Sequence, residues 1–198
     1  MKTTLILIRH GQTPWNNLKK LQGQKDIPLS PKGIEQAKLV AKRIKDMQIT
    51  KIYSSSLKRA YQTAKMVARE IKLNIEIEDR LKELAYGVHE GKSWSEVRHF
   101  YIKNDSFNNK YKPKKGESNI EFRERVIDGL NSILGKNKGG MVLIVCHAAV
   151  LHTLVRYFRD IPPEVDTYYR FPNTSVSIFH FAKGKFSEEI VADASHFE

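Results

Sequence analysis

The sequence predicts an α/β fold with three layers, α/β/α, around a mainly parallel central sheet. Two observations predict it. Short apolar runs alternate with amphipathic helical stretches along most of the chain, and two of those runs, "TTLILI" and "GGMVLIVC", read as buried strands. A third bounds the size: 198 residues, 40% of them hydrophobic, suffice for one core, so residues 1–198 are expected to form a single domain.

The elements follow in order. "TTLILI" is the first strand, and it stops at Arg9-His10-Gly11, where the glycine is expected to let the chain turn. "SPKGIEQAKLVAKRIKDM" is a helix with Ser30 as N-cap and Pro31 at its first position; Ile34, Ala37, Ala41 and Ile44 share its apolar face. "KIYSS" is a short strand. "SLKRAYQTAKMVAREI" is a helix with Leu57, Ala60, Ala64, Val67 and Ile71 on one face, and "NIEIE" alternates like an edge strand. In "SNIEFRERVIDGLNSIL", Ser118 and Glu121 form a capping box that starts another helix. "GGMVLIVC" is the most buried strand, and "HAAVLHTLVRYF" continues from it as a helix. "SVSIFHFAKGKFSEEIV" reads as two strands joined at Lys183-Gly184. Residues 85–116 break the alternation. This stretch, polar through "KNDSFNNKYKPKKG", is long for a connection and is read as a lid-like insertion.

Composition excludes several classes. "TTLILI" is too short to span a membrane and lacks a cleavage site, and one cysteine, Cys146, rules out a disulfide framework within the chain. A cytoplasmic location and no membrane partner are expected. The net charge of +12 suits an anionic partner. Its cations are spread along the chain without aromatic interleaving, so no nucleic-acid partner is expected.

Ligands of open α/β sheets bind beyond the carboxyl ends of the strands. There the sequence has Arg9-His10-Gly11, then Ser54-Ser55-Ser56 with Lys58-Arg59 opening a helix, then His147. Two histidines and two arginines at one rim, with helix N-termini adding N–H donors, make an oxyanion site suited to a phosphoryl group. Three competing motifs fail. "GVHEGKS" is one residue short of a Walker loop and follows no apolar strand. Cys146 has His152, not arginine, six residues on, so it lacks a cysteine-phosphatase loop. No close His/Cys spacing indicates zinc, although His147 and His152 are near in sequence; no metal and no cofactor are expected.

"RHGQTPWN", "LQG", "SPKGIEQA", "IYSSSLKRAYQTA" and "VCHAAV", in that order, resemble the histidine phosphatase superfamily over nearly the whole chain. The resemblance implies a phosphoglycerate mutase-like fold. It implies that His10 is the nucleophile that takes the phosphoryl group. Arg9, Arg59 and His147 would then hold its oxygens, and Glu83 in "LKELAYG" would be the proton donor. Asn16, Gln22 and Gly23 match positions that line the phosphate pocket. From the residues alone, Glu78 and Glu90 remain alternatives to Glu83. Where the family usually has Ser-His-Gly-Gly, this chain has Cys146-His147-Ala148-Ala149. Ala148 is still expected to line the pocket, on ordinary helical backbone. In the tail "DASHF", His196 either reaches the pocket or is an exposed terminal residue.

A phosphomonoester hydrolase acting on small phosphorylated metabolites is the expected function. The alternatives are a cofactor-dependent phosphoglycerate mutase, which resembles this chain but carries a longer insertion and must exclude water, and a non-catalytic phosphate-binding adaptor. The expected partner is a small phosphorylated substrate, with a homodimer left open. Tyr86, His89 and Trp94 are candidate pocket walls. Lys103, Lys110, Lys112, Lys114 and Lys115 are candidates for attracting an anion, with a solvated loop the plainer expectation.

Overall fold

The computed structural model describes residues 1–103, 111–162, 165 and 167–197. The strands are β1 (Thr3–Arg9), β2 (Lys51–Ser54), β3 (Ile75–Ile77), β4 (Met141–Cys146), β5 (Val176–Ala182) and β6 (Lys185–Asp193). They form one sheet in the order β3-β2-β4-β1-β5-β6. β3, β2, β4 and β1 pair in parallel, whereas β5 runs antiparallel to both β1 and β6. The helices are α1 (Pro14–Asn17), α2 (Pro31–Ile44), α3 (Lys58–Ile71), α4 (Trp94–Lys103), α5 (Asn119–Lys136) and α6 (Ala148–Phe158). Among the described residues, no helix is long and apolar enough to cross a membrane.

The two-residue period of a strand explains the layers. Along β1, Leu5 and Leu7 face α5 and α6 and pack with Phe122, Leu130 and Leu151. Ile6 and Ile8 face the other way, against Val40 and Ile44 of α2 and Ala60, Ala64 and Val67 of α3. β4 repeats the division, with Val142, Ile144 and Cys146 on one side and Leu143 and Val145 on the other. A strand buried on both faces needs apolar residues at every position, which is why these two runs are continuous. Each such Leu, Ile or Val contributes about 1.5–3 kcal/mol when fully buried.

Local chemistry sets the element boundaries. Ser30 Oγ accepts the Gly33 N–H at 3.1 Å, and Pro31 supplies a preset φ at the first turn of α2. The Ser118–Glu121 capping box starts α5. Lys183 and Gly184 both have positive φ, 50° and 76°, as the two-residue turn between β5 and β6 requires. β3 is short, lies at the sheet edge and pairs with β2 alone, as its alternation predicts.

Two helices are not anticipated by the sequence reading. α1 is one turn, held by a capping box between Thr13 and Asn16. α4 falls inside the stretch read as a polar lid-like insertion. It forms because Val97 and Tyr101, one turn apart, are both buried, while the other residues from 94 to 100 are exposed. Residues 104–110, which include Lys110 and most of "KNDSFNNK", lie outside the described residues, as does the side chain of Lys103. Of the remaining lid lysines, Lys112 pairs with Glu121 at 2.6 Å, and Lys114 and Lys115 are exposed.

Candidate active site

The carboxyl ends of β1, β4 and β2 are neighbours in the sheet, so the residues that follow them meet. The His10 N–H donates to the Cys146 carbonyl at 3.0 Å, and the Ser55 N–H donates to the Val145 carbonyl at 3.1 Å. These bonds extend the ladder by one residue past each strand. They set His10, Ser55 and His147 side by side, all buried, with the two imidazole centroids 5.2 Å apart.

Gly11 has a reason different from the expected turn. Its φ is not positive. A Cβ at Gly11 would lie 2.5 Å from the Gly33 carbonyl oxygen, and one at Gly33 would lie 2.0 Å from the Gln12 carbonyl oxygen. The loop after β1 therefore touches the first turn of α2 backbone to backbone, and only glycine fits on either side.

The histidine tautomers follow from their partners. His10 Nδ1 lies 2.7 Å from the Gly11 carbonyl oxygen, which can only accept. Nδ1 therefore carries the proton, and Nε2 keeps a free lone pair. His147 Nε2 lies 2.9 Å from Ser55 Oγ, and that hydroxyl already accepts the Leu57 N–H at 3.3 Å. Among the described residues the Ser55 hydroxyl has no other acceptor, so its proton goes to His147 Nε2. His147 Nδ1, buried with no hydrogen-bond partner among the described residues, is left as an N–H donor. Burial first, then the Arg59 charge, holds both rings well below the ordinary histidine pKa, so both are neutral at pH 7.

The arginines are fixed by carbonyls rather than carboxylates. Arg59 is fully buried in the first turn of α3 and donates to the Lys25 and Gly23 carbonyls at 2.8 and 2.7 Å. Burial lowers its pKa to about 10, which still leaves it charged at pH 7. Arg9 donates to the Phe171 carbonyl at 2.5 Å. The Nε of each is buried and has no hydrogen-bond partner among the described residues. Two guanidinium groups whose charge no contacting carboxylate neutralises make a strong anion site.

The three candidate glutamates separate cleanly. Glu78 is bound by Arg80, which holds its carboxyl below the usual range. Glu90 accepts the Gln24 N–H at 2.9 Å. Glu83 is buried near Arg9 and Arg59; Oε1 accepts the Leu84 N–H at 3.0 Å and Oε2 the Ala149 N–H at 3.4 Å. Desolvation outweighs the nearby cations and raises its pKa. Glu90 also acts on Arg59, but Glu83 is the one of the three that is buried beside both arginines.

Asn16, Gln22 and Gly23 line the same rim. The Thr13 N–H donates to Asn16 Oδ1 at 3.0 Å and its hydroxyl to Gln22 Oε1 at 3.0 Å, which turns both amide NH2 groups toward other acceptors. Gly23 has φ of 52°, and a Cβ there would fall 2.1 Å from the Glu90 carboxylate. Ala148 opens α6 with ordinary helical backbone, as expected, and its N–H belongs to a first turn that the His147 side chain does not cap.

Several supporting residues escaped the sequence reading. Ser55 sets the His147 tautomer. Arg125 donates to the Arg80, Lys82 and Glu83 carbonyls and pairs with Glu117, so it holds the turn that presents Glu83. Asn173 Nδ2 donates to the His10 carbonyl at 3.0 Å. Only the serine run beside a strand end offered a sequence signal; Arg125 and Asn173 look like ordinary polar residues. Tyr86 and His89 are largely buried among the rings of Tyr101, Phe100 and Tyr111, while Trp94 is half exposed against Tyr101. His196 neither enters the cluster nor lies free in solvent; it binds Arg43 and Thr174. His152 bonds the Thr167 carbonyl at 2.8 Å, away from His147's serine. A cavity of about 390 Å³ lies near the start of β1 among Met1, Leu134 and Phe181, away from this chemistry.

A mainly parallel sheet of this order, with paired histidines, paired arginines and a carboxyl at its carboxyl edge, has the phosphoglycerate mutase-like fold. YhfR of Bacillus stearothermophilus superposes with a TM-score of 0.89 at 35% identity, covering 99% of this chain and 100% of that one. The Entamoeba histolytica phosphoserine phosphatase, solved in complex with 3-phosphoglyceric acid, superposes with a TM-score of 0.88 at 29% identity, covering 99% and 100%. Phosphoglycerate mutase-like protein 4 of Arabidopsis thaliana is 33% identical over 202 residues, which is 98% of this chain and 86% of that protein. The model of the histidine phosphatase superfamily (branch 1) matches residues 5–194, and the chain belongs to that family.

Proposed function

We propose that this protein is a metal-independent phosphomonoester hydrolase that acts on small phosphorylated metabolites through a phosphohistidine on His10. The observation that carries the reading is the tautomer of His10. Its proton is tied to the Gly11 carbonyl, so a neutral Nε2 lone pair stands among cationic and N–H donors without a separate base.

In the first step Nε2 attacks phosphorus and the ester P–O bond breaks. The Glu83 carboxyl, kept protonated by burial, gives its proton to the departing alkoxide. Arg9, Arg59 and His147 Nδ1–H face the peripheral oxygens, where the charge resides in the transition state. In the second step the Glu83 carboxylate takes a proton from water, whose oxygen attacks phosphorus. The P–N bond breaks, releasing phosphate and returning neutral His10 and protonated Glu83.

The phosphoserine phosphatase likeness supports hydrolysis, and the mutase-like name of the A. thaliana relative keeps isomerisation as the second reading. A phosphate-release screen over small phosphomonoesters, with kcat/KM for each, tests the first. The second predicts that 2-phosphoglycerate returns 3-phosphoglycerate instead of free phosphate. The adaptor reading predicts phosphate binding with no turnover.

A further inference from the structure

Beyond the reacting groups, the turn from Phe171 to Ser175 grips both Arg9, which ends β1, and His10, which follows it. The Phe171 carbonyl accepts from the Arg9 guanidinium, and the Ser175 carbonyl accepts the Arg9 N–H. The Thr174 N–H donates to the Arg9 carbonyl at 3.0 Å, and Asn173 Nδ2 donates to the His10 carbonyl at 3.0 Å and to Asn16 Oδ1 at 3.3 Å. Thr174 does this at φ of 57°. A β-branched residue is costly in that left-handed region and persists only where surroundings hold it.

The chain terminus holds it. His196, in the turn Ser195–Phe197 after β6, lies between α2 and Thr174. Arg43 of α2 can only donate, so His196 Nδ1 accepts from it at 3.1 Å and Nε2 carries the proton. Nε2–H then donates to Thr174 Oγ1 at 3.2 Å, and Thr174 Oγ1 donates to the Asn173 carbonyl at 2.8 Å. Arg43 is itself anchored by Asp193. The donors therefore run in one direction, from Arg43 through His196 and Thr174 to Asn173.

We propose that His196 and Thr174 are positioning residues: the C-terminal turn locks Thr174 in its strained conformation, and that conformation sets Arg9 and His10 for phosphoryl transfer. The turnover arm of the test rests on the hydrolase reading above; the second arm does not. His196→Ala removes the donor, while His196→Gln returns an N–H at the Nε2 position. Turnover of para-nitrophenyl phosphate by His196→Ala should fall about ten- to a hundred-fold in kcat with KM within about two-fold, because Arg59 and His147 still hold the phosphate. His196→Gln should recover most of the loss. Independently, the ¹⁵N and ¹H resonances of the His10 imidazole in the ligand-free protein should shift in His196→Ala and return in His196→Gln. If the wild-type protein turns over no ester, the hydrolase reading fails and the imidazole resonances alone decide the positioning role. Unshifted His10 resonances, or a kcat loss that glutamine does not rescue, overturn it.

Discussion

Replacing Glu83 by glutamine separates chemistry from architecture. Glu83 makes two backbone contacts, a 3.0 Å bond from Leu84 N–H to Oε1 and a longer 3.4 Å one from Ala149 N–H to Oε2. In the neutral acid the proton belongs on Oε2, the weaker acceptor. A glutamine with its carbonyl at Oε1 keeps the shorter bond and turns an NH2, which cannot accept, toward the Ala149 N–H, a loss of about 1–3 kcal/mol of folding stability. Losing the proton donor acts instead on the reaction barrier. General acid catalysis contributes about a hundred- to ten-thousand-fold, equivalent to about 2.7–5.4 kcal/mol of barrier. An alkyl phosphomonoester should therefore lose that factor in kcat. An aryl ester, whose leaving group departs as a stable anion, should still phosphorylate His10 and give a burst of phenol. Turnover then stalls, because no carboxylate remains to activate water. Rapid-quench kinetics and trapping of the acid-labile phosphohistidine read both halves. Alkyl-ester turnover within ten-fold of wild type, with no burst on the aryl ester, would refute the assignment of Glu83.

Substituting His10 by alanine should abolish turnover while cooperative unfolding persists; residual hydrolysis at the wild-type rate sinks the phosphohistidine route. EDTA should leave the rate unchanged, and activity restored by an added metal would contradict the metal-independent mechanism. Because burial and Arg59 hold His10 well below 6.5, kcat/KM should not decline as pH falls through 6.5, whereas a decline there would place its pKa at the ordinary value. Stability follows the opposite senses of the buried groups. Below pH 6.5 the unfolded chain protonates His10 and His147 before the native state does, so their contribution is complete above 6.5 and lost on acidification. Glu83 is raised, so its contribution is complete below the unfolded carboxyl pKa and lost as pH rises through the native value. A Glu83→Gln protein should lack that alkaline-side loss in thermal melts across pH. Gly33→Ala drives a Cβ to 2.0 Å from the Gln12 carbonyl oxygen, which cannot swing away like a side chain. It should cost about 1–3 kcal/mol or more in urea unfolding, and an unchanged midpoint would deny that the two backbones touch.

What the sequence determined by itself is what depends on neighbours a few residues apart. The continuous apolar runs of β1 and β4 could satisfy both faces only inside a layered sheet. Ser30-Pro31 and Ser118–Glu121 set helix starts by bonds of three-residue span. The placement of Arg9, His10, Arg59 and His147 followed because each sits at a strand end, one residue beyond it or at a helix start, where topology alone brings them to one rim. Tertiary structure decided what rests on long-range contact. Glu83 was indistinguishable from Glu78 and Glu90 until burial and a neighbouring Arg80 separated them. α4 was hidden because, among its described side chains, the buried face is Val97 and Tyr101 alone. Gly11 looked like a turn residue, and the clash it avoids comes from Gly33, twenty-two residues away. The lone pair on His10 and the N–H on His147 depend on Gly11 and Ser55 as partners. Sequence spacing sets which groups can meet; proton positions and pKa follow from what each group touches in the folded chain.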